Sequence, residues 1–380
     1  EMGLNEYLFA NGEVVKLWLY PRGPDSGFIV YPGRGERWGF FDTTPLAHAL
    51  NEPCYIVEPH PPGARIVENG LPVFTLYHEN DDESRRASGK DSRLFFTAPA
   101  DGEYLVKVRD VRNLQGSDFR YTLHARARKP DFQVTLTGAD PTISPGTGRE
   151  FQVSAQRLDE FDGPIRLEFH GVPRGFRVES PLIIEAGQLD AVGVVTADED
   201  ATPPEPGAEP APVTVTATAW IDGREVRREV APLGKLQLGP PAKLKATILA
   251  AEGGPSPVVG EDGIPEFTVE AGSTATLKLK VERIDFQGQV PFGNEGSGRN
   301  LPFGAFIDDL GLNGLLVTED RDERTFFVTV DKVVAEQVRP FHVNTGAAGG
   351  VASRPVRLRV VPPADRSQAA LAVDPPGVAP

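Results

Sequence analysis

The apolar positions of this chain recur with a period of two, in short bursts separated by glycine, proline and acidic residues. Val14, Leu17 and Leu19 alternate with polar or aromatic neighbours over Glu13–Tyr20, which predicts a strand. Cys54–Val57, Val73–Tyr77, Arg93–Thr97, Gly102–Val108 and Phe119–Ala125 read the same way. One short helix is predicted at Thr44–Leu50, where Thr44 caps and Pro45 suits the first turn. Pro21–Gly27 and Pro32–Gly35 read as loops, and Gly33–Phe41 is too polar and glycine-rich to be buried. Beyond Pro130 two further series of short strands follow. The first runs through Phe132–Thr137, Arg149–Arg157, Ile165–Phe169, Phe176–Glu179, Ala191–Thr196, Val213–Trp220 and Glu225–Val230. The second runs through Leu244–Ala250, Glu266–Val269, Ala275–Arg283, Leu315–Thr318, Thr325–Val330, Phe341–Thr345 and Val356–Val361. Seven strands at this spacing suggest a Greek-key sandwich.

The two series repeat one another. Val153–Ile165 and Leu279–Val290 each end a strand in Arg-x-Asp, follow it with a phenylalanine, and open the next strand after a glycine. Turn chemistry accounts for the pattern: Asp159 and Asp285 would cap their own turns, and Gly163 and Gly288 accept positive φ. A shared binding role for Arg157 and Arg283 is the alternative. The repeat also places Asp200–Pro212, whose composition is that of a linker, inside the second unit. The resulting organisation is all-β: a first sandwich over 1–129, immunoglobulin-like sandwiches over 130–240 and 241–362, and a Pro/Ala-rich tail over 363–380.

Composition supports this. Glycine and proline make up a fifth of the 380 residues, a density that long helices do not survive. The formal charge of −15 argues against nucleic acid and anionic membranes, because neither is neutralised by an acidic surface. A single cysteine, Cys54, rules out an internal disulfide, and no Cys-x-x-Cys-His run is present to attach haem. No apolar run is long enough to span a membrane. Glu1 opens the chain without a basic-then-apolar leader, as expected of a cleaved precursor or a fragment of a longer protein.

Residues 91–125 carry a more specific signal. Asp91-Ser-Arg-Leu94, an aromatic pair, Ala98-Pro99-Ala100-Asp101-Gly102-Glu103-Tyr104, an alternating strand and a closing Tyr121-Thr-Leu123 follow one another, with Asn80-Asp81-Asp82 upstream. This run resembles the second half of the bacterial pre-peptidase C-terminal (PPC) domain. The whole arrangement is similar to large secreted proteins of planctomycete-type bacteria, which join such a domain to immunoglobulin-like repeats. The resemblance implies a jelly-roll-like first domain, a secreted, periplasmic or cell-surface location, and an appendage to enzymes rather than an enzyme.

Two candidate sites follow. Glu79, Asn80, Asp81 and Asp82, with Asp91, offer clustered oxygen ligands for Ca2+, and relatives of the resembled family bind calcium near such loops. The competing reading is a solvated turn in which Arg85 and Arg86 pair with the acids. Aromatic residues crowd the first 41 positions; most suit a core, and Trp38 is the candidate for an exposed sugar-binding platform. The histidines, His48, His60, His78, His124, His170 and His342, form no His-Glu-x-x-His motif. Gly296-Ser297-Gly298 reads as a flexible loop rather than a nucleophile elbow. The expected function is therefore non-catalytic: spacing, anchoring or targeting a larger protein through carbohydrate or protein contacts. The alternatives are a subunit of a surface assembly, predicting edge-strand pairing between chains, and a hydrolase, predicting a pocket that joins His48, His60 or His78 to carboxylates.

Overall fold

The computed structural model describes residues 18–20, 27–30 and 38–40 and, with short interruptions, residues 91–363. The described residues contain strands, turns and one 3-10 turn, and no α-helix. The chain is all-β. The predicted helix at Thr44–Leu50 and the strands at Cys54–Val57 and Val73–Tyr77 lie outside the described residues.

Three strands open the chain: β1 (Trp18–Tyr20), β2 (Gly27–Val30) and β3 (Trp38–Phe40), in one antiparallel sheet. The third corrects the sequence reading, which took Gly33–Phe41 for a loop. Val30 lies opposite Trp38 and Phe28 opposite Phe40, so the ladder with β2 recruits the Trp-Gly-Phe run as a strand. Residues 102–108 and 119–125 depart in the other direction. Both were expected to be strands, yet neither is paired, and Leu105, Val106 and Tyr121 stand exposed at 101%, 66% and 73%. Alternation specifies a strand only where a ladder partner and a covering sheet exist, and no described strand flanks these two segments.

The second sandwich comprises β4 (Asp131–Thr137), β5 (Thr142–Ile143), β6 (Gly148–Leu158), β7 (Ile165–His170), β8 (Phe176–Val178), β9 (Leu182–Ile184), β10 (Asp190–Ala197), β11 (Val213–Ile221), β12 (Arg224–Gly234) and β13 (Gln237–Leu238). One sheet has the order β4-β6-β10-β8 and the other β12-β11-β7-β9, while β5 and β13 pair in parallel. The third sandwich comprises β14 (Leu244–Ala250), β15 (Val258–Val259), β16 (Pro265–Glu270), β17 (Thr274–Arg283), β18 (Val290–Gly293), β19 (Ala305–Asp308), β20 (Leu315–Val317), β21 (Glu323–Val330), β22 (Gln337–Phe341), β23 (Asn344–Thr345), β24 (Val351–Ala352) and β25 (Val356–Val361). Its sheets are β14-β17-β21-β19 and β15-β16-β25-β22, with β18 paired to β20.

The two units share one strand path. In both, the strand after the Arg-x-Asp turn (β7, β18) is followed by a strand on the opposite sheet (β8, β19), then by one returning to its side (β9, β20). In both, an early short strand pairs in parallel with the last (β5 with β13, β16 with β25). Alternating inward positions supply each core: Phe151, Val153, Leu167 and Val215 in one, Leu277, Leu279, Phe326 and Leu358 in the other. The sequence reading began a strand at Phe341, just after Pro340. The structure instead runs β22 through Pro340, which is possible because β22 is an edge strand and an edge position needs no amide donor.

Candidate functional site

Charged side chains converge where the third sandwich meets the second. Gly148, at the start of β6, pairs with Ala352 of β24, so a strand of the third unit adds to a sheet of the second. A side chain at Gly148 would meet Val194 and the carbonyls of Ala352 and Ser353. Two residues on, Glu150 points away from the core of its own sandwich, on the same face as Val194 opposite it. Val192 and Val194 occupy this outward face yet are only 1% and 4% exposed, and neither belongs to the core cluster of its own sandwich.

Glu150 is the hub. Its Oε1 accepts from Arg299 Nε at 2.9 Å and lies 2.7 Å from His342 Nε2; its Oε2 accepts from Asn344 Nδ2 at 2.8 Å. All three partners come from the third sandwich. Burial by itself would push this carboxyl up. The hydrogen bond and charge of His342, and then Arg299, outweigh burial and hold it down at about 2. Around this hub, Arg149 Nη1 donates to the carbonyls of Gly349 and Gly350 at 2.7 and 2.9 Å. Arg339, buried, reaches Glu185 at 3.0 Å. Arg357 bridges Glu179 and Asp262 at 2.8 and 2.7 Å, Lys245 meets Glu199 at 3.0 Å, and Arg354 meets Asp198 at 3.5 Å. Among the described residues no buried side-chain nitrogen or oxygen lacks a partner.

The loop that delivers Arg299 overturns the reading of Gly296-Ser297-Gly298 as flexible. Ser297, Gly298 and Asn300 are buried, and Arg299 and His342 bond through both main chains, at 2.8 and 3.1 Å. A Cβ at Gly296 would collide with the carbonyls of Asn344 and Phe292, and one at Gly298 with Ile307 and Leu301. The glycines are there for close packing, a requirement that composition cannot distinguish from flexibility.

A cleft of about 300 Å3 borders the hub, lined by Arg149, Glu150, Asn344, Thr345 and the glycine-rich turn 346–350. Each polar side chain lining it already has a protein partner: Thr345 Oγ1 donates to Pro291 O at 2.6 Å, Asn344 meets Glu150, and Arg149 Nη1 meets the Gly349 and Gly350 carbonyls. The arrangement suits holding two domains together rather than holding a substrate.

The repeated Arg-x-Asp turns do structural work of the same kind. Arg157 donates to the carbonyls of Gln188, Gly163 and Glu185 at 2.8, 2.6 and 2.7 Å and lies over the Phe161 ring. Burial pushes its guanidinium down to about 10, with Asp162 pulling the other way. Arg283 reaches the carbonyls of Gly288, Arg321 and Thr318 at 3.2, 2.8 and 2.9 Å, and Asp322 at 2.6 Å. The matched glycines, Gly163 and Gly288, thus lend carbonyls to the matched arginines. Asp159 reaches beyond its own turn. Its buried carboxylate accepts from Arg126 and from the main-chain amide of Lys129 at 2.8 Å, tying down the segment that enters the second sandwich. It is Asp159, at φ +50°, and not Gly163 that takes the left-handed conformation there.

Of the residues singled out by sequence, Trp38 lies in β3 with its side chain outside the described residues, as are Glu79, Asn80, Asp81, Asp82, His48, His60 and His78. Asp91 is exposed at a bend. His124 and His170 are exposed, and His342 is 2% exposed within the Glu150 cluster. Among the described residues no three His, Cys, Asp or Glu side chains converge as a metal site would require, and no helix is long and apolar enough to cross a membrane. The sequence reading missed Glu150, Arg299 and Asn344. No local motif marks them, since they lie about 150 to 190 positions apart.

Fold and junction together define a class: tandem β-sandwiches joined through a shared sheet. No family model matches the chain, and no curated protein does. Solved structures that it is similar to include domains 5–6 of the S-layer protein SbsC, at 15% identity and a TM-score of 0.21, over 62% of this chain and 99% of that one. The fibronectin(III)-like modules of Clostridium thermocellum CbhA stand at 14% and 0.17, over 60% and 95%. Likeness at these scores carries no argument.

Proposed function

We propose that the second and third sandwiches act as one rigid, non-catalytic unit that spaces or presents other parts of a secreted or cell-surface protein. One observation carries this reading: β24 of the third sandwich extends the β6 sheet of the second, beside a largely buried Glu150–Arg299–His342–Asn344 cluster. Domains joined by a bare linker reorient freely. Domains joined by a ladder bond and a largely buried, partnered charge cluster do not, because reorientation would strand Glu150 without its cations. The histidine–carboxylate pair that a hydrolase would need is here 2% exposed at the imidazole and committed to two further partners, which favours a structural role.

The test is a distance measurement on the full chain with Cys54 replaced by serine. Spin labels at the exposed positions Glu229 and Lys280 report one sandwich each. A single narrow distance distribution is expected, broadened by Glu150→Gln combined with Arg299→Gln. A broad distribution in the parent protein would sink the proposal.

A further inference from the structure

The sheet β12-β11-β7-β9 turns one face to the core and the other to solvent. Its outward positions on β11 are Thr214, Thr216, Thr218 and Trp220, with Glu229, Arg227 and Glu225 opposite the last three on β12, and His170, Glu168 and Arg166 opposite the first three on β7. Trp220 is 67% exposed. No ring or cation among the described residues lies against its indole. Its position is nevertheless fixed. It stands beside the two-residue turn Asp222–Gly223, both at positive φ, which closes the β11–β12 hairpin in a tight right-twisted form.

From this we propose that the outer face around Trp220 binds an uncharged polysaccharide built of hexopyranose rings. The chemistry of the face selects that partner. The indole is an isolated apolar plane of about the size of one sugar ring, and the C–H face of a hexopyranose stacks on such a plane. Thr216 is buried and accepts from Arg227 at 3.2 Å, whereas the carboxylates and guanidinium groups of Glu225, Arg227 and Glu229 are exposed and pair with sugar hydroxyls as acceptors and donors. The other apolar side chains on this side are half-buried Ile183 on β9 and the small exposed Ala231 and Pro232 on β12, so the face lacks the cluster of large apolar side chains that a protein partner's anchors would fill. Charge points the same way. The chain carries −15 overall, whereas this face sets Arg166 and Arg227 among Glu168, Glu225 and Glu229, and Arg166 pairs with Glu168 at 3.1 Å. A field so nearly balanced suits a neutral ligand better than an ionic one. The site lies on the sheet opposite the one that meets the third sandwich, so it remains open while the two domains are locked. This proposal goes beyond the spacer reading, and either can fail without the other.

The experiment is co-sedimentation of the full chain with insoluble cellulose and chitin, with affinity electrophoresis in laminarin as a soluble arm. Trp220→Ala and Trp38→Ala are run beside the parent. Trp220 is a surface side chain, so its removal leaves folding intact, checked by an unchanged melting temperature. Retention of the parent by at least one polymer, weakened tenfold or more by Trp220→Ala and unchanged by Trp38→Ala, is the expected result. Failure of the parent to bind any of the three, or equal binding by Trp220→Ala, overturns the proposal. So does a concentration-dependent dimer, seen by sedimentation velocity, that Trp220→Ala abolishes, since the face would then serve a second copy.

Discussion

In the second sandwich Phe151 on β6 lies opposite Gly193 on β10; at the same place in the third, Leu277 on β17 lies opposite Phe326 on β21. The ring has changed strands. The Phe151 ring covers the Gly193 backbone so closely that a Cβ there would overlap it, and it also meets Phe169 edge-on at 5.2 Å. The lesson is that the two units keep one ring in the cross-strand pair but neither the strand that carries it nor the size of its partner, glycine in one and leucine in the other. This explains why their likeness is visible in one loop and lost elsewhere. The Arg-x-Asp turn must place donors at fixed carbonyls, whereas a core ring can sit on either strand of the ladder.

The comparison can be broken most sharply at that pair. Gly193→Phe alone should cost about 4 kcal/mol, because it inserts a ring where even a methyl group overlaps. Adding Phe151→Leu recreates the arrangement of the third sandwich and should recover more than half of the loss, measured by chemical denaturation. Additive costs in the double variant would show that the two pairs are not equivalent.

The Glu150 cluster has no counterpart between repeats, since it belongs to their junction. Glu150 is held at about 2 against an ordinary value of 4.5. A carboxyl depressed on folding stabilises above its unfolded pKa, and that contribution is lost as pH falls through the folded value. Its share, about 3 kcal/mol, is therefore present at neutral pH and disappears between about pH 4.5 and 2. Glu150→Gln should lose it at pH 7 and flatten the acid limb of the stability curve over that window; an acid limb identical to the parent's would remove Glu150 from the account.

The matched arginines separate next. Arg157→Ala leaves three loop carbonyls without their donors and uncovers Phe161, for an expected loss of about 2 kcal/mol. Arg283→Ala should cost about 1 kcal/mol, because its Asp322 partner is 71% exposed and water replaces that bond. Thermal melts of the two variants would reverse the order if the third sandwich leaned on its turn more heavily than the second. The smallest effect belongs to Trp220→Ala, within about 0.5 kcal/mol, since an exposed ring contributes little to stability.

Much of the strand order could be read from alternation. The series from Phe132 to Val361 was legible because each strand carries its inward apolar residues at every second position, as in Phe151, Val153 and Ala155. The Pro-rich stretch after Ala197 connects β10 to β11 of the same sandwich, despite a composition that imitates a linker. Two kinds of feature resisted reading. Gly296 and Gly298 look like flexible glycines in one dimension and prove to be sites where backbone meets backbone. Residues 102–108 and 119–125 place apolar side chains at every second position, as in Tyr104, Val106 and Val108, yet the described structure leaves them unpaired, because alternation states which face would be buried and not whether anything covers it.

The sequence alone carries the all-β character: breakers too dense for helices, apolar residues at period two, and a repeated turn whose arginine meets the carbonyl of the glycine five or six residues on. The junction, by contrast, exists only once the chain is packed. Glu150 is an unremarkable strand residue until β24 arrives beside β6 and Arg299, His342 and Asn344 close on it from 149 to 194 positions away. Short-range geometry follows from local sterics and hydrogen bonding, which neighbouring residues specify. The depressed carboxyl and the shut interface follow from desolvation and Coulomb attraction, which depend on distances in space that no local pattern encodes.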